Sequence, residues 1–436
     1  MNTNPYLASV QKDITLYDKE KVIVVALKAN EDEYFYYQLN EMMSLCKACG
    51  YDIEETITQS LPQPNNRTYI GSGKLQELKV ILECSDVKKV IFNDELTPSQ
   101  IKNISECLDD VEVIDRTMLI LEIFERRATS KEAILQVEIA KMKYMMPRLV
   151  GARKYLSRTT SSSTSKNRGA GETQLELDRR HIQERIDQGL RELENLKKQR
   201  MTTRKLRDSS EVKTVAFVGY TNSGKSTTIN SLLNMFSDGN EEKSVYVENM
   251  LFATLETQTR KIKLPNKHTF LITDTIGFVS NLPHHLIESF KSTLEEIKEA
   301  SLIIHIVDAS SPYKELQYST TMEVLESLGV ENIPILTVLN KCDLVKNSYF
   351  LGKFESEIEL SAKFKVGIRE LVTKIDETLY GKTYLDSLLI PYSDGSVVSM
   401  LKDNYEVLSL NYTEEGAEVK VKLNEMMHNK LKKYIV

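Results

Sequence analysis

The sequence predicts a multidomain α/β protein, on three observations. Residues 219–226 read Gly-Tyr-Thr-Asn-Ser-Gly-Lys-Ser, a complete G-x-x-x-x-G-K-S phosphate loop. The apolar run Val215–Val218 precedes it as a buried strand should, and Ser226–Leu233 follows as a helix. Across residues 1–125, apolar β-branched runs alternate with amphipathic stretches, the pattern of parallel strands joined by crossover helices. At the other end, Tyr405–Asn411 and Ala417–Leu423 alternate apolar and polar residues around Glu414-Glu415-Gly416, which reads as a hairpin in a small α+β module.

At 436 residues the chain is too long for one core. The expected domains are 1–125, α/β; 126–210, a basic helical hairpin with a flexible loop at 159–171; 211–380, α/β around the phosphate loop; and 381–436, the small module. Charged residues make up 28% and hydrophobic ones 41%, an ordinary globular balance. No apolar run approaches the roughly 18 residues that span a bilayer. Met1–Lys21 lacks both the apolar core of a signal peptide and the Arg-rich character of a transit peptide. The expected compartment is the cytoplasm. The 5 cysteines fall at irregular spacing, so no disulfide framework is expected. Cys46 and Cys49 form one C-x-x-C on a helical stretch, without the second ligand pair a zinc site needs. They read as small apolar fillers.

In the N-terminal segment, Val22–Leu27 reads as a strand, Phe35–Cys49 as a helix and Tyr51–Thr58 as a strand. Gly71-Ser72-Gly73-Lys74 opens a helix carrying Leu75, Leu78 and Ile81. Lys89–Asn93, Ser99–Leu108 and Val111–Asp115 continue as strand, helix and strand. The Gly71–Lys74 segment is a superficial phosphate loop, without the four-residue spacer or a following Ser or Thr.

The net charge of −6 hides an asymmetry. Residues 126–207 hold 21 Lys and Arg against 9 Asp and Glu, a surplus of +12 that leaves −18 for the rest. Such a segment inside an acidic chain suits a polyanion; a solvated, salt-bridged helix pair is the plainer reading. Ile134, Val137, Ala140 and Tyr144 fall at helical spacing up to Pro147. A second helix is expected from about Glu172 to Arg204, with the seam Ile182, Ile186, Leu190, Leu193 and Leu196. Between them lies a Ser-, Thr- and Gly-rich basic loop. Arg153, Lys154, Arg158, Lys166 and Arg168 are the candidate RNA contacts, since a basic loop can order on a phosphate backbone.

In the phosphate-loop domain, the backbone N–H groups of Gly219, Tyr220, Thr221, Asn222, Ser223 and Gly224 can cradle an anion at the helix N-terminus that Ser226 and Thr227 open. Lys225 can reach the β- and γ-phosphates, and the Ser226 hydroxyl can hold Mg2+. Asp274-Thr275-Ile276-Gly277 follows the strand Phe270–Ile272. Asp274 suits the magnesium shell, and the Gly277 N–H suits the γ-phosphate. Thr254, in Phe252-Ala253-Thr254, offers a further hydroxyl to the metal. Asn340-Lys341-Cys342-Asp343 follows the strand Ile335–Leu339. The Asp343 carboxylate can accept from guanine N1–H and its amino group, which adenine cannot match. Ser361-Ala362-Lys363 ends the next strand, where its N–H groups can meet guanine O6. Together, in this order, the motifs predict a P-loop GTPase domain that binds GTP and GDP. Phe278 stands where many such proteins carry a Gln that orients the attacking water. Either hydrolysis by the chain alone is slow or another element supplies the charge. Asn222, beside a K+ ion at the β/γ bridge, is one candidate; a loop-shaping role is the other.

These residues closely resemble the HflX family of ribosome-associated GTPases, along nearly the whole chain. The resemblance is carried by Ile70-Gly71-Ser72-Gly73-Lys74, Phe92-Asn93-Asp94-Glu95-Leu96, the run Arg168–Glu176 (RGAGETQLE) and Asp274–Phe278 with Leu282-Pro283. It implies binding to the large ribosomal subunit and its rRNA near the peptidyl transferase centre, splitting of stalled ribosomes, and a GTPase stimulated by the ribosome. It also implies ATP use by the N-terminal domain and a location peripheral to ribosomes or a membrane surface. Large-subunit binding or assembly without splitting, and an RNA-remodelling NTPase, are the alternative readings. Two features depart from the family: Ser161–Lys166 replaces a Gly-rich loop, and Leu255-Glu256-Thr257-Gln258 lacks the usual Pro after Thr254, which should leave that loop less pre-ordered.

Overall fold

A computed structural model describes residues 19–30, 32–149, 174–208, 212–236, 251–252, 258–280, 283, 286, 296–330, 332–345 and 356–436. Thr254 and the candidate RNA contacts Arg153, Lys154, Arg158, Lys166 and Arg168 lie outside the described residues. The chain forms two compact units, residues 1–126 with 138–188, and residues 127–137 with 189–436.

In the first unit, β1 (Lys21–Lys28), β2 (Asp52–Ser60), β3 (Lys89–Phe92) and β4 (Glu112–Asp115) form a parallel sheet in the order β2-β1-β3-β4. Crossover helices α1 (Phe35–Ala48), α2 (Ser72–Glu83) and α3 (Pro98–Cys107) connect them, and α4 (Arg116–Arg127) follows β4. Val22–Ala26 of the central strand are wholly buried. A strand covered on both faces needs an unbroken apolar run rather than alternation. Helix α3 starts where its sequence directs: Thr97 and Gln100 form a reciprocal capping box, with Pro98 in the first turn. Cys46 and Cys49 are free and buried. Burial pushes their thiols up, to about 12 and about 11, so both stay protonated as packing groups.

Helices α5 (Lys131–Met145) and α6 (Gln174–Asp208) are joined by two ion pairs, Glu138–Arg185 in the first unit and Lys131–Glu192 in the second. Numbers rise on one helix as they fall on the other, so the helices run antiparallel. Two seam residues differ from the expected pattern. Val137, Ala140, Tyr144 and Ile186 are buried, whereas Ile134 and Leu190 are 47% and 42% exposed. Ala133 takes the inward position beside Val137, which turns Ile134 to the flank.

In the second unit, β5 (Lys213–Gly219), β6 (Gln258–Lys263), β7 (Thr269–Asp274), β8 (Leu302–Asp308), β9 (Ile335–Asn340) and β10 (Ser356–Glu359) make a sheet in the order β10-β9-β8-β5-β7-β6. β6 is antiparallel to β7; the other described pairs are parallel. Helices α7 (Lys225–Phe236), α8 (Lys314–Ser327) and α9 (Ile368–Tyr380) cover it. Alternate residues of β5 serve opposite faces. Val215 and Phe217 pack with Ile229 and Leu232 of α7 and Leu371 and Ile375 of α9, while Ala216 and Val218 pack with Val324 and Leu325 of α8. The C-terminal module is an antiparallel sheet of β11 (Thr383–Ile390), β12 (Glu406–Tyr412) and β13 (Ala417–Asn424), ordered β11-β13-β12, with α10 (Gly395–Asn404) and α11 (Glu425–Leu431) over one face.

The turn between β6 and β7 is pinned from two sides. Asp376 of α9 accepts from Asn266 Nδ2 at 2.6 Å and meets His268 Nδ1 at 2.7 Å. Lys267 Nζ donates to the carbonyls of Lys402 and Asp403 at the end of α10, where a cation meets the negative end of the helix. Replacing Asp376 with Ala strands two polar partners at a site where Asp376 is 7% exposed. A loss of about 2 kcal/mol is expected, read as a lower urea midpoint at unchanged slope.

Candidate functional site

The motifs converge because each ends a strand on one edge of the sheet. Gly219 closes β5, Asp274 β7, Asp308 β8 and Asn340 β9, while Ser361 lies just beyond β10. β5 sits between β7 and β8, so the phosphate loop emerges at the centre of this edge. Two of its glycines have no substitute. Gly219 has φ +147°, and a Cβ there would lie 2.3 Å from the Ile306 carbonyl oxygen. Gly224 has φ +94°, and its Cβ would lie 2.1 Å from Asn340 Nδ2. Asn222 also takes the left-handed conformation, φ 59°, with its side chain exposed. Asn tolerates that region well, which supports the loop-shaping role.

Lys225 lies under the loop and donates to the carbonyls of Gly219 and Tyr220, each at 2.9 Å. Burial pushes its ammonium group down to about 8, against the pull of the nearby Asp274 carboxylate. Ser226 Oγ donates to Asp274 Oδ2 at 2.9 Å. The Thr221 and Ser223 hydroxyls are buried without a hydrogen-bond partner among the described residues. A Ser hydroxyl beside a carboxylate is the hard-oxygen donor set that Mg2+ prefers, so these residues fit the ion. Ser226 and Asp274 would hold it, and when bound it offsets charge on the β- and γ-phosphate oxygens.

Gly277 packs against the loop. A Cβ on it would lie 2.8 Å from Thr221 Cγ2 and 3.0 Å from Lys225 Nζ. Its backbone therefore sits beside the lysine. Phe278 is 1% exposed and packs among Ala216, Val218, Ile297, Ala300 and Ile303. It is a core residue and positions no water.

The loops after β9 and β10 are one connected system. Asn340 Nδ2 donates to the Ser223 carbonyl at 2.8 Å, and Asn340 Oδ1 accepts from the Ala362 N–H at 3.0 Å. One side chain thus ties the phosphate loop to the Ser361-Ala362-Lys363 loop. Asp343 Oδ1 accepts from Ser361 Oγ at 2.6 Å, which orients the carboxylate. Lys341, at φ 64°, extends Nζ to within 2.7 Å of Asp308 Oδ2. Thr227 lies in the first turn of α7 and Lys363 at the rim beside the Phe364 ring. The sequence reading missed Asp308, although it ends the legible apolar run Leu302–Val307. It also missed Ser231, whose Oγ donates to the Ala362 carbonyl at 2.8 Å. A lone Ser in a helix carries no signal for that.

In the first unit, the Gly71–Lys74 segment makes no comparable cradle. The Gly71 N–H donates to Gln59 Oε1 at 2.8 Å, and Lys74 Nζ pairs with Glu77 at 2.8 Å. No group of three His, Cys, Asp or Glu among the described residues is arranged to hold a metal ion.

A Gly-x-x-x-x-Gly-Lys-Ser loop, Asp274 and an Asn-Lys-x-Asp run, all at the C-terminal edge of one sheet, define a P-loop GTPase. Residues 36–125 match the family described as GTP-binding GTPase N-terminal, 127–207 the GTP-binding GTPase Middle Region, and 214–341 the 50S ribosome-binding GTPase. The GTPase HflX of Caldanaerobacter subterraneus subsp. tengcongensis is 41% identical over 420 residues, 96% of this chain and 94% of that relative. The GTPase HflX of Escherichia coli is 33% identical over 411 residues, 93% of each. The chain belongs to the HflX family of GTPases. Among solved structures, a GTP-binding protein from Sulfolobus solfataricus in complex with GDP is 25% identical, with a TM-score of 0.42, over 82% of this chain and 98% of that one.

Proposed function

We propose that this GTPase is a GTP-gated factor that binds the large ribosomal subunit and splits stalled ribosomes. The observation that carries the reading is one chain holding both a complete guanine-nucleotide site and a separate segment with a +12 charge surplus. Helices α5 and α6 lie within that segment, and its basic side chains suit an rRNA backbone. The match of residues 214–341 to a family described as 50S ribosome-binding adds to it. In this reading Lys225, Gly277 and Thr254 sense the γ-phosphate, Asp343 selects guanine, and hydrolysis on the ribosome ends the encounter.

Light scattering of assembled ribosomes tests the splitting step. Scattering is expected to fall on adding the protein with GTP or with a β,γ-imido GTP analogue. No fall with either removes splitting and leaves a GTP-gated binding or assembly factor. A second nucleotide, ATP, at Gly71–Lys74 has weaker support, because both its N–H donor and its lysine are engaged within the fold. No helix among the described residues is long and apolar enough to cross a membrane, and a ribosomal location fits the basic segment better than a membrane surface.

With Phe278 committed to packing, charge near the transferring phosphate must come from elsewhere. K+ beside Asn222 is the candidate; when bound it would add positive charge at the β/γ bridge. Turnover is expected to be about tenfold faster in KCl than in NaCl, and Asn222→Ala to remove most of that difference. Equal rates in the two salts would return Asn222 to loop shaping alone.

A further inference from the structure

The phosphate loop and the segment after Gly277 are fastened together directly. The Phe278 N–H donates to the Gly219 carbonyl at 3.2 Å, and the Thr221 N–H donates to the Phe278 carbonyl at 2.7 Å. Residues 220 and 278 thus form a short parallel bridge. One turn outward, the Tyr220 phenol lies 2.5 Å from Ser280 Oγ and also accepts the Ser280 N–H at 2.5 Å. Tyr220 and Ser280 are each 4% exposed, so these bonds form away from competing water. Gly277 sits on the inner side of the fastening, against Thr221 and Lys225. A segment that must sense the γ-phosphate is here held in place by a side chain of the phosphate loop itself.

We propose that Tyr220 and Ser280 are positioning residues for GTP turnover. Their hydrogen bonds keep the Gly277 backbone beside the Lys225 ammonium, so the γ-phosphate site is assembled before the triphosphate arrives. This rests on reading Gly277 as the γ-phosphate contact. The consequence is selective. GDP has no γ-phosphate, so loosening Gly277 weakens GTP binding and spares GDP. A merely structural role for Tyr220, in shaping the phosphate loop, would weaken both nucleotides together, since both place phosphates in the same cradle.

The test measures the affinities of the purified full chain for a β,γ-imido GTP analogue and for GDP, alongside steady-state turnover. Tyr220→Phe keeps the ring and removes both bonds to Ser280. It is expected to weaken the analogue about tenfold and leave GDP within about twofold. Ser280→Ala removes one bond and is expected to cost about threefold on the analogue, with Ser280→Thr close to wild type. Retained GDP binding reports that each variant is folded. An unchanged ratio of the two affinities in Tyr220→Phe, whether both fall or neither does, overturns the proposal. Gly277→Ala separates the proposal from its premise. If it lowers the ratio while Tyr220→Phe does not, only the fastening is wrong. If Gly277→Ala leaves the ratio intact, the γ-phosphate reading of Gly277 falls and takes the proposal with it.

Discussion

Lys225→Ala is expected to reduce GTP turnover by on the order of a hundred- to a thousandfold, the usual loss when one pre-placed donor to a reacting group is removed. The structure explains why water cannot replace it. Lys225 is 7% exposed, fixed by two loop carbonyls, and adjacent to Gly277. Its burial also makes a pH prediction. Burial pushes its ammonium group down to about 8, and an anionic nucleotide must raise that value by favouring the charged form. The complex therefore binds more protons than the free protein above about pH 8, and affinity falls as pH rises through that range. GTP affinity is expected to be flat from pH 6.5 to 7.5 and to decline by up to about tenfold per unit above pH 8. Fluorescent-nucleotide titrations at several pH values check this, with Lys225→Ala as the reference without the effect.

Asp343→Asn is expected to lower GTP affinity about a hundredfold or more and to raise affinity for xanthosine triphosphate. The carboxylate is held by Ser361 Oγ in a loop that Asn340 also fixes through the Ala362 N–H. It cannot move away from a mismatched base, so guanine's two donors would face an amide donor in place of a second acceptor. Xanthine carries an oxygen where guanine has its amino group, which suits the amide. Competition titrations with the three triphosphates measure the exchange. A variant that kept guanine over xanthine by the wild-type ratio would place the base reader elsewhere. Such sites owe discrimination to the penalty of leaving a buried polar group unpaired rather than to extra attraction.

The sheet edge was legible because three of its motifs follow apolar runs: Val215–Val218 before the phosphate loop, Phe270–Ile272 before Asp274, Ile335–Leu339 before Asn340. Burial on both faces dictates such runs in a parallel sheet, and their ends are where loops converge. β6 was not legible. Its sequence, Gln258-Thr259-Arg260-Lys261-Ile262-Lys263, is charged, as befits the outermost strand of the sheet order, and no apolar run announces it. The facing of Ile134 and Leu190 was misread for a related reason. Helical spacing allows several apolar stripes, and the neighbouring helix, not the period, chooses among them. The Tyr220–Ser280 contact joins residues 60 positions apart, and neither residue type nor spacing marks it. Nothing in the sequence marks Phe278 as core; only the packing around it does.

The central claim is a GTP-gated encounter with the large ribosomal subunit, and cosedimentation tests it most directly. The purified protein is mixed with separated large or small subunits, in the presence of the β,γ-imido GTP analogue or of GDP, and spun through a cushion. The account predicts stoichiometric pelleting with large subunits in the analogue, little with GDP, and little with small subunits in either. Equal pelleting with GDP and the analogue, or none with large subunits in the analogue, would contradict it.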